Sequence, residues 1–452
     1  MITSKAFGKV LAAAAVLAAA ISLSSCDKRD PDIGIKPGEE GIDQRYHGSR
    51  EGMPETRRVL LFYECGFNSL YDDLAKNMDE DLPQGYFPGS GRNDDVVLIY
   101  SKTALNLNYK SVPSYLRRVY KGADGELVSD TLKTYSSNVV ASSAATMRDV
   151  LTYVKSAFPA KGYGMVFSSH GSGWMPAGYF NNPSQFEASH SKSDGRRMSR
   201  QRRALGVPEG DMETDDPYAG MVRSLGQDKM SYGDVEMTVT EFAEGIPFHL
   251  DYLLFDMCFG GGVEVAYGLK DKADYLGVSP AEVLAEGTFD YTTITEFLLK
   301  GSSPDLAGLF RNSFERYNRQ SGINRSATVT LLRTDKIGDL ASVCRQLISS
   351  YSDALANSPA SQIQGYFRRN RHYFYDLEDI FAKSGIPEED MRVLRNAIDA
   401  CVVYKAATPS FMNDFDIVTY SGMSMYLPAA GTDLLDSYYK NEPWNVAVEL
   451  VK

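Results

Sequence analysis

The sequence predicts an α/β protein whose central sheet is mostly parallel and is covered by helices on both faces. Short apolar runs alternate along the chain with longer segments in which apolar residues recur at helical spacing. Several of the runs are apolar at nearly every position, as expected for strands that are buried on both sides of a parallel sheet. Hydrophobic residues make up 43% of the 452 residues, which is enough for a large core.

The individual elements follow from these two periodicities. The apolar runs predict strands at 58–63, 95–100, 164–169, 251–255, 275–278 and 327–332, with a late strand at 421–427. Helical spacing predicts helices at 70–82, 144–158, 261–269 and 391–403. A separate small C-terminal domain is the alternative to a single α/β body.

The N-terminus has the features of an export signal. Lys5 and Lys9 accompany an apolar run, Val10–Leu23, that is too short to span a bilayer comfortably. The run ends in Leu-Ser-Ser before Cys26, which resembles the bacterial lipobox, where this cysteine is lipidated and becomes the first residue. Residues 1–25 are therefore predicted to be a lipoprotein signal peptide, and the protein to be lipid-anchored in a bacterial cell envelope. An ordinary cleaved signal peptide with a chance cysteine is the alternative.

Two further segments differ in composition from the apolar body. Residues 26–56 are rich in Gly, Pro and charge and are predicted to be a flexible tether to a folded body at 57–452. Residues 184–216 lack apolar periodicity and are predicted to form an irregular loop. This loop is rich in basic residues, namely Lys192, Arg196, Arg197, Arg200, Arg202 and Arg203. It fits a solvated surface loop or a proteolytic processing loop better than a binding site for nucleic acid or lipid headgroups. The net charge of −12 makes nucleic acid a poor candidate ligand for the whole chain.

A histidine and a cysteine each follow a predicted strand. His170 and Gly171 come directly after one strand, and Cys258 lies two residues beyond Asp256, at the end of another. Since the carboxyl ends of parallel strands meet at one edge of a sheet, the two side chains can meet there. A thiolate is a strong nucleophile, and a neighbouring histidine can take its proton and later protonate a leaving amine. The backbone N–H groups of Gly171 and Cys258 are the predicted donors to the oxyanion that forms.

The remaining cysteines offer one rival nucleophile. Cys65 also follows a strand, whereas Cys344 and Cys401 lie inside helical patterns and are predicted to be core residues. The cysteine spacing matches neither a disulfide framework nor a zinc motif. The other histidines lack a comparable glycine context; they are His47, His190, His249 and His372.

The two strand-end motifs are HGSGW at 170–174 and Asp256-Met-Cys258, which is followed by EVAY at 264–267. Together they resemble the clostripain family of cysteine peptidases. The segments YLGVS at 275–279 and SGMSMYLP at 421–428 are similar to later parts of that family, so the resemblance runs from about 57 to 428.

The resemblance implies a fold like that of caspases, gingipains and legumain, a three-layer α/β/α sandwich with a His–Cys dyad. It implies that His170 is the base and Cys258 the nucleophile. It also implies cleavage after Arg or Lys, activation by cutting an internal loop, and, because some members require calcium, Ca²⁺ as a candidate cofactor. The acidic run 211–216 suits a solvated loop as well as a calcium ligand set.

The specificity pocket is where the chain departs from the family. Asp256 matches an acid that would help to line a pocket for a basic side chain, although it equally suits a structural carboxylate bonded to backbone N–H groups. An acidic stretch and a Pro-Gly turn are expected after the strand at 275–278. Residues 279–287 read SPAEVLAEG instead, where only Glu282 keeps a matching acid.

The sequence therefore predicts a cysteine endopeptidase that hydrolyses peptide bonds through a thioester acyl-enzyme, with a preference for Arg or Lys at P1 and self-processing in the basic loop. A catalytically silent lipoprotein of the same fold that binds a partner or a peptide is one alternative. A thiol hydrolase or transpeptidase of another specificity is the other.

Overall fold

A computed structural model describes residues 56–91, 94–106, 108–176, 179, 225–231, 233–368 and 373–452. The predicted signal peptide, Cys26, residues 27–55 and the basic loop at 184–216 lie outside the described residues. So do His47, His190, His372 and the acidic run 211–216.

The strands of the described residues differ widely in length. In chain order they are β1 (Thr56–Gly66), β2 (Val96–Thr103), β3 (Ser114–Lys121), β4 (Leu127–Tyr135), β5 (Ala160–Ser168), β6 (Leu225–Met230), β7 (Gly233–Met237), β8 (Leu250–Asp256), β9 (Ala273–Val278), β10 (Thr328–Arg333), β11 (Tyr375–Asp376), β12 (Val402–Ala407), β13 (Ser410–Phe411), β14 (Phe415–Asp416) and β15 (Ser424–Met425).

The α-helices are similarly varied. They are α1 (Tyr71–Lys76), α2 (Ala144–Ala157), α3 (Val239–Gly245), α4 (Val263–Leu269), α5 (Leu306–Asn318), α6 (Ile337–Ser350), α7 (Ser352–Ala356), α8 (Leu377–Lys383), α9 (Glu388–Cys401), α10 (Asp433–Tyr439) and α11 (Pro443–Val448). Within the described part of the chain, none of the helices has both the length and the apolar character that crossing a bilayer requires.

One large mixed sheet organises the described residues. Its nine strands lie in the order β12-β10-β9-β8-β5-β1-β2-β3-β4. The central strands β9, β8, β5, β1 and β2 are parallel, and antiparallel pairs extend the sheet at both edges. The register pairs Glu64 with Ser168 and Ser168 with Asp256, so β1, β5 and β8 end side by side. The segments that follow these three strands therefore emerge at one edge of the sheet.

The core lies on both faces of this sheet. Along β1, Leu61 and Tyr63 pack into one hydrophobic cluster with α2, α4, α6 and α9, while Leu60 and Phe62 pack into a second cluster with α5. Alternate residues of a strand point to opposite faces, so a strand that is apolar at every position needs a cover on both. The prediction of an α/β/α sandwich with a mostly parallel sheet is confirmed.

Of the antiparallel strands in the large sheet, β10 was predicted from the sequence, and β3, β4 and β12 were not. In β3 and β4, polar residues such as Arg117 and Thr131 interrupt the apolar pattern, since antiparallel strands near an edge are not buried along their whole length. The helix predicted to reach residue 403 ends at Cys401, and the chain continues as strand β12. The late strand predicted at 421–427 is reduced to Ser424–Met425.

Candidate active site

A pocket opens where β1, β5 and β8 end. Its lining includes His170 and Cys258, so the structure brings this predicted pair to one site. The described residues that line it are Leu70, Leu74, Ser169, His170, Asp256, Met257, Cys258, Glu282, Val283, Leu284, Ala285 and Gly287.

His170 follows β5 by two residues and is held by the segment after β1. Its ring is nearly buried, and Nε2 lies 2.9 Å from Oγ of Ser69. The neighbouring Ser169 donates a hydrogen bond to the carbonyl of Cys65, which also accepts one from the side-chain amide of Asn68. These bonds fix the ends of β1 and β5 to each other, and they fix the orientation of the imidazole.

Cys258 follows β8 by two residues and is partly exposed. Its Sγ accepts a hydrogen bond from the N–H of Val283 at 3.2 Å and lies 3.6 Å from the carbonyl oxygen of the same residue. Burial raises the pKa of the Cys258 thiol to about 12, and the negative charge of Glu282 adds to this rise, while the Val283 N–H and Arg368 oppose it. The sulfur is therefore a thiol at neutral pH, and attack on a carbonyl requires a base to remove its proton.

The backbones of the two strand ends approach each other at Gly171. A Cβ at this position would lie 2.5 Å from the carbonyl oxygen of Cys258 and 2.9 Å from Sδ of Met257. The hydrogen bond that links this segment to β6 joins the N–H of Gly226 to the carbonyl of His170, and the Gly171 N–H takes no part in it. The glycine after His170 is thus required because the backbone of Cys258 lies against it.

Asp256 lines the pocket and is held from within the protein. Its carboxylate accepts hydrogen bonds from the N–H of Thr288 and, at 2.6 Å, from the hydroxyl of Tyr291. The Tyr291 oxygen also lies 2.9 Å from Oγ of Ser168. Burial raises the pKa of Asp256, although these two hydrogen bonds favour the carboxylate. From the sequence, Asp256 could either line the pocket or be a structural carboxylate bonded to backbone N–H groups. In the structure it lines the pocket and also accepts a hydrogen bond from a backbone N–H.

Glu282 also lines the pocket, and its carboxylate is paired within the chain. Arg368 donates two parallel hydrogen bonds to it, Nε to Oε2 at 2.6 Å and Nη2 to Oε1 at 2.8 Å. The side chain of Glu282 is 8% exposed and that of Arg368 13%. This bidentate geometry gives a strong charge-assisted pair.

The other thiols of the described residues are less suited to catalysis. Cys65 is completely buried, and burial raises its pKa well above the ordinary thiol value. Cys344 and Cys401 are buried in α6 and at the end of α9, which confirms their prediction as core residues. His249 lies at the surface and bonds Asp274. Cys258 is the one cysteine of the described residues that is not fully buried.

Sequence reasoning missed three residues of this site. Ser69 lies three positions after the end of β1, and the strand-end rule that selected His170 applies to it as well. Tyr291 and Arg368 reach the site through tertiary contacts that no local pattern indicates. Among the described residues, no group of three or more His, Cys, Asp or Glu side chains is arranged to hold a metal ion.

A histidine and a partly exposed thiol at neighbouring strand ends of an α/β/α sandwich are typical of cysteine peptidases. The model of the clostripain family matches residues 208–445, more than half of the chain and including Cys258. The chain belongs to the clostripain family and is a cysteine-type endopeptidase.

Solved structures share the fold of this chain. The chain is similar to an inactive zymogen C11 protease from Parabacteroides distasonis, with 25% identity, a TM-score of 0.66, and coverage of 87% of this chain and 99% of that one. A secreted C11 cysteine protease from Bacteroides thetaiotaomicron, "iotapain", shares the fold with 22% identity, the same coverage and a TM-score of 0.66. The structure of a secreted C11 cysteine protease from that organism with an irreversible peptide inhibitor matches at 21% identity with a TM-score of 0.65, covering 87% of this chain and 99% of that chain. No curated protein sequence matches the chain.

Proposed function

We propose that the endopeptidase reaction is carried out by Cys258 as nucleophile and His170 as general base. The observation that carries this proposal is that both side chains line one pocket at the adjacent ends of β5 and β8. Since the Cys258 thiol is protonated at neutral pH, its attack requires a base, and His170 lines the same pocket.

The reaction follows from these positions. His170 takes the Sγ proton as the sulfur attacks the scissile carbonyl carbon, and the N–H groups of Gly171 and Cys258 donate to the resulting oxyanion. The histidine then protonates the leaving amine, which departs and leaves a thioester on Cys258. Water, deprotonated by the same histidine, hydrolyses the thioester and restores the thiol.

The proposed substrate carries Arg or Lys at P1. The pocket beside the thiol holds two carboxylates, those of Asp256 and Glu282, between apolar walls that suit the stem of a long basic side chain. Glu282 is engaged by Arg368, so Asp256 is the carboxylate that we assign to the incoming charge.

Peptide hydrolysis tests both parts of the proposal. Peptides that differ only at P1, with Arg, Lys or Leu, are assayed with the wild type and with Cys258→Ala, His170→Ala and Asp256→Asn. Cys258→Ala and His170→Ala should each lower kcat/KM about 10³-fold or more. A protein that carries both substitutions should lose little more than either single variant, since the two residues act as a unit. Asp256→Asn should lower the rate with Arg or Lys relative to Leu. Hydrolysis by Cys258→Ala at the wild-type rate would refute the dyad, and inactivity of every protein would favour the silent binding protein.

We further propose self-processing in the basic loop. The support is chemical: the loop offers the residues that a basic-specific peptidase would cut, namely Lys192, Arg196, Arg197, Arg200, Arg202 and Arg203. Wild-type protein should be cut within 190–204 on incubation, and Cys258→Ala should remain intact. A fully active, uncut chain would contradict the proposal.

The cell-envelope location is also a proposal, supported by the signal-like segment and the lipobox-like residues before Cys26. Fatty-acid labelling should mark the wild-type protein expressed in a bacterium and should not mark Cys26→Ser. Labelling of both proteins, or of neither, would contradict a lipid anchor on this cysteine.

A further inference from the structure

A hairpin between α7 and α8 packs beside the nucleophile. Gly365 pairs with Tyr375 in an antiparallel bridge, and the N–H of Tyr366 donates to the carbonyl of Phe374 at 2.9 Å. The second arm continues into β11, which pairs with β15. Its two described arms, 365–368 and 373–376, are thus held on the body by backbone hydrogen bonds.

Aromatic contacts join this hairpin to the residue that follows Cys258. The ring of Phe259 stacks on Phe374 with centroids 4.5 Å apart and an interplanar angle of 12°, and it lies 5.5 Å from Phe367. Phe259 is completely buried. Phe367 directly precedes Arg368. The packing of Phe367 against Phe259 therefore also fixes the backbone from which the Arg368 side chain extends.

Arg368, in the first arm of this hairpin, forms an ion pair with Glu282, which is one of the two acids in the described pocket lining. The planar guanidinium satisfies both oxygens of Glu282, which is the geometry that an arginine side chain of a substrate would otherwise use. Both partners are largely removed from solvent, so separating them would leave charges unpaired in a poorly solvated place. Glu282 is therefore not available to an incoming basic side chain while this pair holds.

We propose that Arg368 is a specificity-determining residue, which neutralises Glu282 and leaves Asp256 as the only acid of the described pocket lining that is available to a basic P1 side chain. The inference rests on the proposed peptidase function and on its P1 pocket. It means that the enzyme discriminates less strongly in favour of Arg and Lys than two unpaired carboxylates would allow. The positive charge of Arg368 also offsets the effect of Glu282, which raises the pKa of the Cys258 thiol.

The test compares P1 arginine with P1 citrulline, its neutral isostere, in otherwise identical peptides. The proteins are the wild type, Arg368→Gln, Glu282→Gln and the double variant. Arg395→Gln is the control, because that arginine pairs with Glu378 and Glu388 away from the pocket. The measured quantity is the ratio of kcat/KM for arginine to kcat/KM for citrulline.

Arg368→Gln should raise this ratio about tenfold or more, the worth of one charge-assisted hydrogen bond. Glu282→Gln alone leaves the positive charge of Arg368 unpaired beside the pocket and should lower the ratio, and the double variant should return it close to the wild-type value. The alkylation rate of Cys258 should shift to higher pH in Arg368→Gln and shift back in the double variant, a change that a purely structural role would not produce. An unchanged ratio in active Arg368→Gln would overturn the inference.

Two further measurements distinguish a failure of this inference from a failure to fold and from a failure of the proposed function. If Arg368→Gln does not fold, Arg368→Lys replaces it; this keeps the charge but loses the bidentate bond, and it should give a smaller rise in the ratio. A wild-type ratio in Arg368→Lys would then overturn the inference. If the wild type cleaves neither peptide and Cys258 reacts with no electrophilic peptide, the proposed function has failed instead.

Discussion

The close contact at Gly171 allows a quantitative prediction for Gly171→Ala. The new Cβ would lie 2.5 Å from the carbonyl oxygen of Cys258, whereas ordinary contacts begin at 3.4 Å. The backbone of Cys258 must therefore shift by about 0.9 Å, because a Cβ cannot rotate away. Met257, which would also be contacted, is buried and has little room to yield.

A displacement of this size at the nucleophile should be costly to catalysis. Misplacing a reacting group by about 1 Å lowers rates by about 10²-fold, and overpacking typically destabilises a fold by about 1–3 kcal/mol. We expect kcat/KM to fall by about two orders of magnitude, while denaturant unfolding shows a chain that is still folded.

The matched control is Gly338→Ala in α6, where a Cβ would meet nothing within 4 Å. This variant should keep wild-type kcat/KM and change the free energy of unfolding by no more than about 1 kcal/mol. If Gly171→Ala folds and keeps wild-type kcat/KM, the strand ends are not as close as described, and the positioning argument fails.

Two further predictions concern the surroundings of the pocket. Ser69→Ala removes the hydrogen bond to Nε2 of His170 and should lower kcat/KM about three- to tenfold in steady-state assays, the worth of one ordinary hydrogen bond. Glu64→Gln should change how stability depends on pH, since burial raises the pKa of Glu64 to about 8. Between the unfolded carboxyl pKa of about 4.3 and this value, the folded state holds a proton that the unfolded state releases. The wild type should therefore lose stability as pH rises through this window, by up to about 1.4 kcal/mol per unit from this group, and Glu64→Gln should lose less in urea titrations from pH 5 to 9.

Each of these variants has a surface control. Ser111→Ala removes an exposed serine that bonds the carbonyl of Ser137 and should leave kcat/KM unchanged. Glu296→Gln changes an exposed glutamate and should leave the pH dependence of stability as in the wild type. Equal activity of Ser69→Ala and the wild type, or parallel pH profiles of Glu64→Gln and the wild type, would contradict the corresponding prediction.

The sequence indicated the central strands because both of their faces are buried. In β8 every residue from Tyr252 to Asp256 is buried, so a short, uninterrupted apolar run was sufficient to locate the strand to within about one residue. Strands β3 and β4 lack such a run, since side chains such as Arg117 and Lys133 lie among their apolar residues. The parallel centre of the sheet and the buried antiparallel strand β10 could thus be predicted, whereas the less buried strands β3, β4 and β12 could not.

The same distinction applies to the site. His170 and Cys258 were predicted to meet because each directly follows a central strand, and the geometry of a parallel sheet brings such positions together. Ser69 could have been found by the same rule. The pairing of Arg368 with Glu282 joins residues 86 positions apart and depends on how a hairpin outside the main sheet packs against Phe259. Local patterns carry no information about such a contact.

The most direct test of the catalytic assignment is to locate the residue that a substrate-like trap modifies covalently. The full-length protein is incubated with a basic peptide that carries a thiol-reactive trap, and the product is analysed by intact-mass and peptide-mapping spectrometry. We predict one adduct per chain, on Cys258, formed much more slowly in His170→Ala and at the wild-type rate in Cys65→Ala. An adduct on Cys65 or another cysteine, or formation at the wild-type rate without His170, would contradict the account.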